Sequence, residues 1–139
     1  MVEVIVSLTV SIILLTTFQT LIIQMIKINR SSESSFLASV YLRELIEVAK
    51  DLEKSDWSEI TKAECLIPNK CYPKIESSEW KLFPTTTAET IRNNGYVYER
   101  WLSVENINAS TSKVIAQITW KNVAGATSSS TLENYIYNY

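Results

Sequence analysis

The run from Val4 to Ile26 contains no Asp, Glu, Lys, Arg, Pro or Gly. It is longer than the roughly 20 residues that cross a hydrocarbon core of about 30 Å as a helix. Rich in Ile, Leu and Val, it has no charged side to turn toward water. This feature constrains the chain most. Residues 1–28 are expected to form a transmembrane helix, and everything after residue 30 reads as cargo on it. One acid, Glu3, sits just before the run. A lone carboxylate at the edge of such a segment is costly and calls for a partner or a task.

The opening string Met1-Val2-Glu3-Val4-Ile5-Val6-Ser7-Leu8 resembles the start of type IV pilins and type II secretion pseudopilins. The resemblance covers about the first 30 residues. In that family a leader is cleaved after a Gly and the fifth mature residue is Glu. Aligning Glu3 with that Glu puts Met1 at the third mature position, so two residues are expected to precede Met1. Charge topology points the same way. No Lys or Arg stands before the span, whereas Lys27 and Arg30 flank its far end. Taken literally, the positive-inside rule would leave the C-terminal part in the cytoplasm, as in an ordinary signal anchor. A basic leader removed during maturation restores the opposite orientation. A cleavable secretory signal fits poorly, because the apolar run is too long and lacks a basic n-region.

Beyond the polar patch Asn29–Ser35 the helical pattern resumes without Gly or Pro. Leu37, Tyr41, Leu45, Val48 and Leu52 recur at three or four residues, flanked by Ala38, Leu42, Ile46 and Ala49. Arg43, Glu44, Glu47, Lys50 and Glu53 occupy the other side. The periodicity predicts one helix from about Val2 to about Lys54, about 75 Å long, whose amphipathic half faces a sheet. Its weakest point is Thr16-Thr17 with Thr20, because β-branched side chains lower helix propensity. Three segments are expected: 1–28, the hydrophobic transmembrane or filament-core helix; 29–54, its amphipathic continuation; and 55–139, a globular head.

The 139 residues leave room for one small head domain, whose limited core would gain from a staple. Cys65 and Cys71, in Cys-Leu-Ile-Pro-Asn-Lys-Cys, are predicted to form it. Pro68-Asn69 suits a tight loop, a two-Cys metal site lacks its other ligands, and redox pairs usually have two intervening residues. There is no His, so Ser-His-Asp, Cys-His and His-based metal chemistry are excluded. No Ser-Lys, paired-carboxylate or cysteine motif stands in their place, and neither an enzyme nor a cofactor is expected. A net charge of −2 without a Lys/Arg cluster argues against nucleic acid.

From Ser55 to Thr90 the chain reads as loop, punctuated by Pro68, Pro73, Pro84 and Thr85-Thr86-Thr87. The fragments Trp57–Ile60 and Trp80–Phe83 are expected to pack on the helix, the second as a short strand. Asn93-Asn94-Gly95 is a hairpin turn signal. Strands are predicted for Tyr96–Val104, for Lys113–Lys121 with Val114, Ala116, Ile118 and Trp120 facing inward, and for Ser128–Tyr139 after a turn at Asn122–Ala126. The expected fold is α+β: a long helix packed on an antiparallel sheet of three to four strands, the lollipop that the pilin resemblance also implies. The ending, with Leu132 and Tyr135-Ile136-Tyr137, resembles minor pilins of the PilV kind. Asn108-Ala109-Ser110 is a glycosylation-type triplet in a loop, a pattern that also arises by chance. Tyr135, Tyr137 and Tyr139 suit either ligand stacking or aromatic packing at a strand or subunit contact.

The resemblance implies a structural subunit of a type IV pilus-like filament, pilin or pseudopilin. Its partners would be identical or homologous subunits, with the inner membrane and the assembly machinery beforehand. It would end in a cell-surface filament or a periplasm-spanning pseudopilus. Glu3 would set register by pairing with a neighbour's N-terminal amine, and Lys27 and Arg30 would meet acids of neighbours. The rival is a lone membrane-anchored extracellular binding module or adhesin.

Overall fold

Absence of helix breakers over the first 55 residues has the expected result. In the computed structural model, which describes residues 2–76, 79–84, 89–121 and 125–138, α1 spans Val2–Ser55. It runs without interruption through Thr16, Thr17 and Thr20. Each of these hydroxyls donates to a helix carbonyl three or four residues back, as from Thr17 Oγ1 to Ile13 O at 2.8 Å. Self-satisfied hydroxyls are compatible with an apolar surround. The chain divides into two compact units, Met1–Glu33 and Ser34–Tyr139.

In the second unit, Ala38, Leu42, Leu45, Ile46, Val48, Ala49 and Leu52 of α1 are buried, the spacing that the apolar stripe predicted. They cover one face of a six-stranded antiparallel sheet, β1 (Cys71–Glu76), β2 (Glu79–Pro84), β3 (Glu89–Asn93), β4 (Tyr96–Asn108), β5 (Thr111–Lys121) and β6 (Thr127–Tyr137). The strand order is β2-β1-β4-β5-β6, with β3 also paired to β4. The fold class is therefore α+β as expected, with a larger sheet. β1 and the first two residues of β3 lie where the sequence reads as loop, and no strand is predicted for the rest of β3. Their strings are short and charged: CYPKIE buries Cys71 and Pro73, ETIRN buries no residue fully, and neither shows a long alternation. Trp57–Ile60 forms the short helix α2, capped by the Asp56 carboxylate, which accepts from the amides of Ser58 and Glu59.

Alternation in β5 buries Val114, Ala116, Ile118 and Trp120, all as predicted. From β4, Tyr98, Leu102 and Val104 meet them. Tyr98 is fully buried, edge-on to Tyr41 at 5.3 Å, and its hydroxyl donates to Ser34 O of α1. Asn94 and Gly95 both adopt positive φ, the conformation the β3–β4 hairpin requires. Thr85-Thr86-Thr87, Asn122–Ala124 of the predicted turn, and Tyr139 lie outside the described residues.

Candidate functional site

Every large apolar side chain from Val2 to Ile28 is exposed, at 43–75% of full accessibility. No part of the most apolar window is buried within the chain, and its mean hydropathy of 2.0 suits a membrane span by length and composition. Glu3 occupies the first turn. Its backbone oxygen accepts from Ser7 Oγ at 2.8 Å, and Ser7 O accepts from Ser11 Oγ at 2.8 Å. Spacing of four puts Glu3, Ser7 and Ser11 on one side of the helix. They form a narrow seam of small hydroxyls headed by a carboxylate, against which a second helix can approach closely. No described group of the chain lies in hydrogen-bond or ion-pair contact with the Glu3 carboxylate. Lys27 and Arg30 are both exposed at the other end of the span, so the chain itself does not bring them to Glu3.

The other expected sites belong to the second unit. Cys65 and Cys71 form a disulfide with a Cα–Cα distance of 5.4 Å, and both are fully buried. The loop they close is tied to β4: the Ile67 amide donates to Val104 O, and Ser103 Oγ donates to Asn69 O. Lys70 Nζ lies 3.9 Å from the Trp101 ring centroid, a cation–π contact. Asn108 is exposed at the end of β4. Its side-chain oxygen accepts from the Ser110 amide at 3.0 Å and from the Ser110 hydroxyl at 3.2 Å, which makes the triplet a turn-forming unit.

Sequence patterning overlooked one cluster. Arg100 sits on β4 with only 6% exposure. Its Nε donates to Glu89 of β3 at 2.6 Å, and its Nη1 donates to Glu44 of α1 at 2.8 Å and to Tyr41 O at 3.3 Å. Burial alone lowers its pKa. The bonds to Glu89 and Glu44 outweigh that and hold it above the ordinary arginine value. Periodicity puts Glu44 on the solvent side of the helix; its carboxylate instead bends back to Arg100 of the sheet. Glu53, from the same side, accepts the Tyr137 amide at 2.7 Å. The one available signal was Arg100 itself, a cation at an inward position of an otherwise apolar alternation. Glu59, also buried, accepts the Leu82 amide and pairs with Lys62. These are structural ties, and no metal-type cluster of His, Cys, Asp or Glu stands among the described residues.

No protein-family model matches the chain, and no curated protein or solved structure matches it either.

Proposed function

We propose that the chain is a structural subunit of a type IV pilus-like filament, in which apolar N-terminal helices pack together and the heads form the surface. The observation that carries this reading is the division of labour along α1. Residues 38–52 bury their apolar stripe inside the head, whereas every large apolar side chain from Val2 to Ile28 is left for an external partner. A membrane serves that partner role before assembly, and neighbouring helices serve it afterwards.

Glu3 favours assembly over a lone anchor. A carboxylate in hydrocarbon costs about 2.5–3.5 kcal/mol at mid-membrane on insertion scales, less toward the interface. An isolated anchor gains nothing from that cost. A packed helix can pair the acid with the α-amine of a neighbour, and the Ser7–Ser11 seam lets the backbones approach. Such a pair forms only at the correct axial stagger, so it acts on register more than on net stability. Lys27 and Arg30 close the other end of the span and reach acids of neighbouring subunits.

The test is Glu3→Ala, read as the ratio of sheared surface filament to membrane-retained subunit. The head folds and the chain inserts as before, but subunits accumulate in the membrane. An unchanged ratio would remove the assembly role and leave the stand-alone anchored binding module as the better reading.

A further inference from the structure

Open sheet edges are templates for strand pairing, and proteins protect them with charge, proline, bulges or short length. Among the described strands, β2 is six residues long, carries Glu79 and Lys81 and ends in Pro84. β3 is five residues long and carries Glu89 and Arg92. β6, at the other end of the strand order, has no proline, no bulge and no short length to protect it. It is eleven residues long, TSSSTLENYIY, and pairs with β5 without a register shift. Its single charge, Glu133, is drawn sideways to Lys113 Nζ at 2.8 Å, away from the edge.

Two hydrogen bonds fix which backbone groups face outward. The Asn138 amide donates to Ser110 O, toward the β5 side. The Tyr137 amide donates to Glu53, away from it. Antiparallel alternation then directs the N–H and C=O of Ser129, Thr131, Glu133 and Tyr135 to the open side. Glu53 closes the Tyr137 end, and Asn134 Nδ2 donates to Tyr135 O at 3.2 Å, a local bond within the strand that leaves the outward groups of Ser129, Thr131 and Glu133 untouched. Leu132, midway along the strand, is 37% exposed beside this edge.

We propose that Ser129–Tyr135 is a pairing edge for the same segment of a second copy, antiparallel and centred on Leu132. The strand is self-complementary about that residue. Leu132 meets Leu132, Thr131 meets Glu133, Ser130 meets Asn134, and Ser129 meets Tyr135, so the bulky half of one strand lies against the hydroxyl half of the other. Outward-facing residues oppose outward-facing residues, which makes the edge hydrogen bonds; a one-residue slip would abolish them. A two-residue shift either sets Glu133 against Glu133, which is repulsive, or separates the leucines. The two-fold axis stands perpendicular to the sheet and reverses residues 34–55 of α1. The pair therefore joins copies presented in opposite senses, as on two facing surfaces, and is a contact distinct from packing side by side in one filament.

The register makes the test sharp. Residues opposite each other in a non-hydrogen-bonded antiparallel pair have Cα atoms about 4.5 Å apart, within disulfide reach. In the full chain in detergent, with the Cys65–Cys71 disulfide intact, Leu132→Cys should give a covalent dimer on mild oxidation. Ser130→Cys alone and Asn134→Cys alone should stay monomeric, and the Ser130→Cys/Asn134→Cys double variant should dimerise. Adding Thr131→Pro to Leu132→Cys removes an outward N–H without touching the β5 ladder. It should lower the dimer yield about tenfold, the scale of one or two lost edge bonds. No dimer from Leu132→Cys would overturn the proposal. So would equal dimer from either single control, or an unchanged yield with Thr131→Pro. None of these outcomes bears on Glu3 or filament assembly.

Discussion

Removing an acid from around Arg100 should destabilise the head more than removing Arg100 itself. The guanidinium is nearly inaccessible, at 6% for the residue, and bears the desolvation cost that accompanies burial. Glu89 and Glu44 offset that cost, and their side chains are 30% and 49% exposed. If Arg100 is replaced by Met, the stem volume stays and both acids turn to water, so little is left unsatisfied. If Glu89 is replaced by Ala, a buried cation loses its shortest bond and keeps only Glu44 and Tyr41 O. Breaking a buried pair from one side costs about 3–5 kcal/mol. Partial exposure of Glu89 and the surviving partners reduce this to about 1.5–3 kcal/mol. Arg100→Met should cost about 1 kcal/mol or less, and the double variant less than Glu89→Ala alone. The assay is urea unfolding of the 29–139 head across the four-member cycle, which isolates the coupling. Additive costs, or Glu89→Ala within about 0.5 kcal/mol of the parent in that assay, would refute the reasoning. Because the folded-state pKa of Arg100 is raised, its contribution is fully present below the ordinary arginine value and lost only as pH climbs through the higher folded value. The ordering should hold throughout the neutral range.

Three further outcomes are expected. The 29–139 fragment should be soluble and folded, because residues 38–52 still cover the sheet; aggregation or loss of its circular-dichroism signal would contradict the division at the end of the span. Replacing Cys65 and Cys71 with Ser opens a loop of sequence separation 6 and should cost about 2 kcal/mol by the chain-entropy relation, lowering the head's melting temperature without abolishing the fold. Asp56 is held below its ordinary pKa, first by the Ser58 hydroxyl; desolvation opposes the shift, and the Glu59 and Ser58 amides and the Lys62 charge add to it. Its capping contribution is therefore present above about pH 4 and lost as pH falls through the lower folded value. Asp56→Ala should cost about 1 kcal/mol at pH 7 and converge with the parent in strong acid; an equal cost at both pH values would refute the cap.

Much of the architecture is written locally. An uncharged run without Gly or Pro dictates a helix and leaves it apolar on every side; the 3.6-residue stripe from Leu37 to Leu52 dictates which side of its continuation is buried. Period-two alternation in Thr111–Lys121, Asn94-Gly95 at positive φ and the cysteine spacing are equally local, and each is seen as expected. Tertiary structure alone decided the rest. β1 and β3 are short and lack a long alternation, and they are strands because the next strands in the chain, β2 and β4, supply their hydrogen bonds, so the signal lies in the pairing and not in either string by itself. Glu44 and Glu53 belong to the solvent side by periodicity, but long side chains reach around a helix, and only the arrival of Arg100 and of the Tyr137 amide drew them back. Which edge of the sheet stays open is likewise a property of strand order. Ser129–Tyr135 is an unremarkable polar stretch until β5 pairs with one side of it and the other side is left to water.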